Sequence, residues 1–261
     1  MKISIIGCGK MGGGIANCLA KDHKLALFDH HQEVTKNLAK KLGAKCCSNA
    51  AEAVSHRELI ILAVKPRDLD DVAKLIHHEI YKEQLLVSIL AGVTTYALQE
   101  YFSEIPILRM MPNLALLYGQ GVIGLVDDDN LSPEMKQKAQ AVFRSMGHLH
   151  WIPEKQADAL TALTGSGPAF LFVLLESIVD AGIAMGFSSS KAKELALQLF
   201  SGVTATVQGS EKHPAELKWE VASPGGTTIA GLKTLEDHAV RSGIINAFLA
   251  ARQRAKEISK E

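Results

Sequence analysis

The 261-residue chain has no excess of charge of either sign, since 28 Lys and Arg residues stand against 28 Asp and Glu. No net field draws it to nucleic acid or to an anionic membrane surface, so the expected partners are a small molecule and further copies of the chain. Cysteine is scarce. Cys8, Cys18, Cys46 and Cys47 all fall in the first fifth of the chain, and neither their number nor their spacing suits a disulfide framework, which points to a reducing compartment. A long hydrophobic run is also missing. The opening Met1 to Ile6 turns into Gly7 too soon for a signal-peptide core and reads as a strand. The most apolar later stretch, Ala169 to Met185, carries Glu176 and Asp180, falls short of a bilayer span and reads as a buried helix. A cytoplasmic protein with no membrane partner is expected. Metal-ligand spacing is lacking as well: the pairs His30-His31 and His77-His78 have none of the companions of a zinc motif and read as surface, so no metal is expected.

What is present suits a folded chain of two domains, with 47% hydrophobic and 21% charged residues. Over residues 1–150, short β-branched runs (Ile3 to Ile6, Leu25 to Phe28, Leu59 to Val64, Leu85 to Ile89, Ile107 to Met110 and Val122 to Val126) alternate with helical patterns. That alternation predicts βαβ units and a mostly parallel sheet covered on both faces, with the last strands free to pair differently. Over residues 151–261 the periodicity is helical, at 155–163, 168–185, 189–208, 226–238 and 242–259. Pro168 suits a helix start and Gly186 a left-handed helix end. Two glycine-bearing stretches, Thr164 to Gly167 and Ser223 to Thr228, read as loops that interrupt these helices.

Gly7-Cys8-Gly9-Lys10-Met11-Gly12 follows the first strand, which ends at Ile6, and opens a helix. The glycines of a GxGxxG pattern supply a tight turn, close backbone approach to a pyrophosphate and close helix–strand packing, and the helix N-terminus meets the phosphate charge. A ligand-free glycine turn is the plain alternative. Against it, the second strand ends at Asp29, 22 residues beyond Gly7, where an acidic residue binds the adenosine ribose hydroxyls and repels a 2′-phosphate. His30, His31 and Gln32 follow it with no arginine, so NADH is expected over NADPH. The fold class is therefore α/β: a Rossmann-type doubly wound sheet over 1–150, then an all-helical domain over 151–261. In that second domain, Ser223-Pro224-Gly225-Gly226-Thr227-Thr228 frees backbone N–H groups and flanks them with hydroxyls at a helix start, which suits a substrate carboxylate. An ordinary helix cap is the competing reading.

Beyond the fingerprint, the chain resembles the pyrroline-5-carboxylate reductases from end to end. The resemblance is carried by Leu62-Ala63-Val64-Lys65-Pro66, Ser88 to Val93, Arg109-Met110-Met111-Pro112-Asn113, Leu163 to Ala169 and Ser223 to Leu232. It implies hydride transfer from NAD(P)H to a cyclic imine, giving L-proline, and an intertwined homodimer built from the C-terminal helices, with joining of dimers into a ring as a further option. It also implies that Asn49 lies at the adenosine side and that Ala63, Val64, Lys65, Pro66, Ala91 and Gly92 line the cofactor toward its nicotinamide end. The Ser223 hydroxyl and the amides of Thr227 and Thr228, presented by Gly225 and Gly226, would hold the carboxylate. The Thr228 hydroxyl would stand near the ring nitrogen, which makes Thr228 the catalytic candidate, and Glu211 would lie close to the substrate. The chain departs from the family pattern at Leu114, Ala115, Leu116, Trp219 and Ala222, so a related cyclic imine, or a non-catalytic dinucleotide sensor, stands as the alternative. Hydroxyacid oxidation is disfavoured, because the helix after Gly167 offers no lysine before Lys191.

Overall fold

The strand runs that read as buried on both faces are buried at every position: Ile3 to Ile6 and Leu59 to Leu62 lose essentially all contact with solvent. The computed structural model describes residues 1–259. Its elements run in the order β1 (Lys2–Ile6), α1 (Lys10–Leu19), β2 (Lys24–Phe28), α2 (Gln32–Leu42), β3 (Lys45–Cys46), α3 (Ala50–Val54), β4 (Leu59–Leu62), α4 (Leu69–Ile76), β5 (Leu85–Ser88), α5 (Thr95–Tyr101), β6 (Ile107–Met111), β7 (Gly121–Val126), α6 (Pro133–Phe143) and β8 (Gly147–Ile152). Then come α7 (Ala157–Leu160), a π-helical stretch Thr161–Ser166, α8 (Gly167–Ala184), α9 (Ser189–Gln208), α10 (Pro214–Glu220), α11 (Thr227–Asp237) and α12 (Val240–Ile258). Two compact units result. One holds Met1–Gly165 with the chain from Arg252 onward, and the other Ser166–Ala251. The division expected at 150/151 falls inside β8, and the last turns of α12, from Arg252, group with the first unit.

The first unit carries an eight-stranded sheet in the order β3-β2-β1-β4-β5-β6-β7-β8. Alternate side chains sort into two cores, as the strand period of two requires. Ile3, Ile5, Leu27, Ile61, Val87 and Leu108 pack with Ile15, Leu19 and Phe143 on one face; Ile60, Leu62, Leu86 and Ile107 pack with Val54, Ile76 and Phe102 on the other. Strands β1 to β6 are parallel, whereas β6 and β7 pair antiparallel. The connection between β6 and β7 is too short for a crossover helix, so the chain must turn straight back. Strand β8 then returns parallel to β7 through α6. The sequence reading did not single out β3 or β8: the first has only two residues, and the second alternates histidine with apolar residues just before Pro153.

Two residues of the Arg109–Asn113 segment act as structural pins. Arg109, buried on β6, is ion-paired with Glu154, whose second carboxylate oxygen accepts from the Thr95 hydroxyl at 2.9 Å. Buried Asn113 donates to the Thr164 carbonyl at 2.9 Å and accepts from the Val122 N–H at 3.1 Å. The Thr164 carbonyl lies in the π-helical stretch, where the wider helical register spoils the ordinary backbone pairing. Thr164 to Gly167 is therefore helical and is not the loop expected from its glycines.

The second unit is entirely helical. Pro168 lies in the first turn of α8, and Gly186 beyond its end takes a φ of +97°. Helix α10 escaped the sequence reading because it is short and is capped by His213 rather than Ser, Thr or Asp; the His213 ring accepts from Ala215 N–H while Glu216 reaches back to the His213 N–H. Helix α8 is not buried as expected: Leu171, Phe172 and Val173 are 51%, 58% and 60% exposed. Among the described residues one helical stretch, Glu154–Ala184, is long and apolar enough to cross a bilayer by length and composition.

Candidate active site

Register gathers the glycine turn and the strand ends beside it. Ile6 pairs with Phe28 on one side and Leu62 on the other, so Gly7, Asp29 and Ala63 leave the sheet side by side at the carboxyl ends of β1, β2 and β4. The strand order changes direction here, which is where open α/β sheets bind ligands. Each fingerprint glycine has a distinct cause. Gly7 has φ +99° and would bring a Cβ within 2.5 Å of the Ala63 carbonyl oxygen. A Cβ on Gly12 would meet the Gly7 carbonyl oxygen at 1.9 Å, so this residue sets how closely α1 can pack. A Cβ on Gly9 would meet nothing within 4 Å. The protein itself does not require glycine at position 9; space is kept open there at the N-terminus of α1. That terminus has no side-chain cap, and its first turn, which includes Lys10 and Met11, holds no acidic residue. The donor set and the open space at Gly9 fit a pyrophosphate.

Asp29 does more than the sequence showed. Its carboxylate accepts from the Cys8 N–H at 2.7 Å and the His31 N–H at 2.9 Å, and lies 3.2 Å from the His30 ring. It therefore ties the glycine loop to the end of β2 as well as facing a cavity of about 270 Å³. That cavity is lined by Ile6, Gly7, Phe28, Asp29, His30, Val64, Asp68, Asp71, Val72 and Leu75. Asp68, Asp71 and Leu75 were not foreseen; their only signal was the helical pattern after Pro66. Arg67 lies beside Asp68 with 3.6 Å between the charged groups, a guanidinium supplied from outside the second strand. Burial, and then the charge of Asp29, pushes the Cys8 thiol up to about 12, so it is no nucleophile at neutral pH.

Of the other residues expected at the cofactor, Val64 lines the cavity shared with Gly7 and Asp29. Ala63 donates its N–H to the Ile6 carbonyl at 2.7 Å, and Lys65 precedes a single 3₁₀ turn that starts at Pro66. Asn49 is exposed and caps α3 through the Glu52 N–H, and it is not among the cavity-lining residues. Ala91 is exposed, and Gly92 has a left-handed φ of +79°.

In the second unit, Gly225 takes φ +70° and Gly226 stands as the uncapped residue before α11, whose first turn has no acidic residue. The Gly226 N–H is held by the Ser223 carbonyl at 3.1 Å. The hydroxyls of Thr161, Thr164, Thr204, Thr206 and Thr234 all bond back to the carbonyl four residues earlier. Thr227 and Thr228 sit at a helix start with no such carbonyl behind them. Among the described residues, neither of their hydroxyls nor that of Ser223 has a hydrogen-bond partner, so three free hydroxyls lie at an uncapped helix start, with Ser223 and Thr227 exposed and Thr228 half-buried. Glu211 lies exposed in the turn between α9 and α10 and makes no hydrogen bond to this loop. Ala222 donates its N–H to the Trp219 carbonyl at 3.2 Å, and the Trp219 ring is exposed beneath the Lys218 ammonium. Leu114 and Ala115 begin a 3₁₀ helix, Leu114–Tyr118, that packs on α1 through Leu117 and Gly14.

The chain is similar to the pyrroline-5-carboxylate reductase of Methanosarcina acetivorans, 35% identical over all of this chain and 98% of that protein. The chain belongs to the pyrroline-5-carboxylate reductase family. Relatives in Synechocystis and Arabidopsis thaliana are 34% and 31% identical, with 99% or more of this chain covered. Family models described as "Pyrroline-5-carboxylate reductase dimerisation" and "NADP oxidoreductase coenzyme F420-dependent" match residues 154–258 and 2–92. Among solved structures, the Plasmodium falciparum pyrroline carboxylate reductase with NADP bound superposes with a TM-score of 0.91 at 31% identity, over 99% of this chain and 98% of that one. The Streptococcus pyogenes enzyme gives 0.92 at 30% identity, over 98% of each. The two-part architecture, a Rossmann-type sheet followed by helices, is that of the pyrroline-5-carboxylate reductases.

Proposed function

We propose that this family member reduces Δ1-pyrroline-5-carboxylate to L-proline, with NADH preferred over NADPH, as a homodimer in a reducing, cytoplasmic setting. The observation that carries the reaction is the full-length match to relatives named for it. When bound, the dihydronicotinamide supplies the hydride. The chain's own residues bind and orient. The uncapped start of α1 and the open face of Gly9 take the pyrophosphate, Asp29 takes the adenosine ribose, and Ala91 and Gly92 rest against the nicotinamide end. The Ser223 hydroxyl and the Thr227 and Thr228 amides hold the substrate carboxylate at the positive end of α11. The Thr228 hydroxyl steadies the ring nitrogen.

The protonated imine accepts hydride at its C=N carbon, and the nitrogen keeps the proton it already carries. No proton need move in that step, which makes alignment the chief contribution of the protein. The raised Cys8 pKa suits a site without a covalent nucleophile.

Asp29, Asp68 and Asp71 on one cavity support the NADH preference, because three carboxylates repel a 2′-phosphate more than His30 attracts it. Initial rates with pyrroline-5-carboxylate should give a higher kcat/KM with NADH than with NADPH, and Asp29→Ser should narrow the gap. A parent enzyme that prefers NADPH would show that Arg67 or His30 receives the 2′-phosphate and that the carboxylates do not decide.

The dimer is supported by the apolar surface of the second unit, where Leu171, Phe172, Val173, Leu199, Val203 and Ile245 are half or more exposed. A patch of this kind on a soluble chain marks an association surface. Sedimentation should find a dimer or a multiple of dimers; a monomer at micromolar concentration contradicts the assignment.

A further inference from the structure

We propose that the C-terminal end of α12 is a positioning strap for the dinucleotide site, with Ile258 holding the Ala91–Gly92 turn in place. The inference rests on the reading that this turn meets the nicotinamide end. At Gly92 the backbone has φ +79°, and a Cβ there would stand 2.8 Å from Ile258 Cγ2 and 3.1 Å from the Ile258 carbonyl oxygen. The last turn of α12 therefore lies directly on the turn's backbone, a closeness only glycine permits.

The turn has little else to fix it. On one side the Leu90 N–H bonds to the Ser88 hydroxyl at 3.3 Å, and on the other Thr94 caps α5. Among the described residues, no backbone hydrogen bond holds Ala91, Gly92 or Val93 between those points. The strap is anchored separately: the Ser259 hydroxyl donates to the Asp158 carboxylate at 3.1 Å. The chain from Arg252 onward accordingly belongs to the same compact unit as the sheet. Ile258 acts on the site through the Gly92 backbone, so its role is positioning.

The test measures NADH affinity by fluorescence titration, with thermal unfolding alongside, in the full-length protein and in Ile258→Asp, Ile258→Leu and Ala91→Val. Ile258→Asp should weaken NADH binding about tenfold, a loss of about 1.4 kcal/mol. The unfolding temperature should stay near that of the parent, Ile258→Leu should retain parental affinity, and Ala91→Val should weaken binding by direct intrusion. Parental NADH affinity in Ile258→Asp, with weakened binding in Ala91→Val, would overturn the strap and leave the site reading intact. Parental affinity in both variants would remove both. Loss of NADH affinity in Ile258→Asp that follows a collapse of the unfolding temperature would assign Ile258 a structural role only and would also overturn the strap.

Discussion

Removing the Thr228 hydroxyl should lower kcat/KM for pyrroline-5-carboxylate by roughly tenfold to a hundredfold, the effect of losing a hydrogen bond of about 1.5–3 kcal/mol to a charged ligand. NADH affinity should stay near that of the parent. The hydroxyl is free to do this because Thr228 opens α11 and has no helical carbonyl behind it, unlike the threonines that bond back within helices. Ser223→Ala should fall in the same range. Gly226→Val should be worse, since a Cβ at that position would stand 2.4 Å from the Ser223 hydroxyl oxygen and displace one of the proposed carboxylate donors. If Thr228→Ala weakened NADH binding as much as it slowed turnover, the loop would belong to the cofactor and the substrate assignment would be lost.

Two alanines in the fingerprint should separate ligand contact from packing. Gly12→Ala puts a Cβ 1.9 Å from the Gly7 carbonyl oxygen, a clash between two backbones that only movement of α1 can relieve. Overpacking of this kind costs about 1–3 kcal/mol, and NADH affinity should fall by roughly a hundredfold as the helix N-terminus leaves its place. The unfolding temperature should fall with it. Gly9→Ala meets nothing within 4 Å and has an ordinary negative φ, so the unfolding temperature should hold while NADH affinity drops. Calorimetric titration beside thermal unfolding reads both. A Gly9→Ala protein that binds NADH as the parent does would mean that the pyrophosphate lies elsewhere.

Much of this architecture is legible in residues because it is local. A β-branched run ending in Gly-x-Gly, and a second run ending in an acid, state a strand, a turn and a ligand almost letter by letter. What stayed hidden is what distance in sequence conceals. Asp68 and Asp71 look like helix-start acids until the register of β1, β2 and β4 places their segment opposite Asp29. Asn113 looks like one letter of the family pattern, yet it satisfies a carbonyl of the π-helical turn whose glycines suggest a loop. The contact of Ile258 with Gly92 has no local signature at all. The apolar composition of α8 reads as that of a buried helix, but within one chain Leu171, Phe172 and Val173 are exposed, and composition cannot tell cover within a chain from cover by a second one.

The central claim is that this chain moves a hydride from a nicotinamide to the imine carbon of pyrroline-5-carboxylate. It is tested most directly by incubating the purified protein with that imine and NADH deuterated at the transferred C4 position, then analysing the product by mass spectrometry and NMR. The account predicts L-proline carrying one deuterium on the ring carbon next to nitrogen that was formerly part of the C=N bond, with one NAD⁺ formed per proline. Folded protein that binds NADH yet yields no proline, or proline without the label, would contradict it.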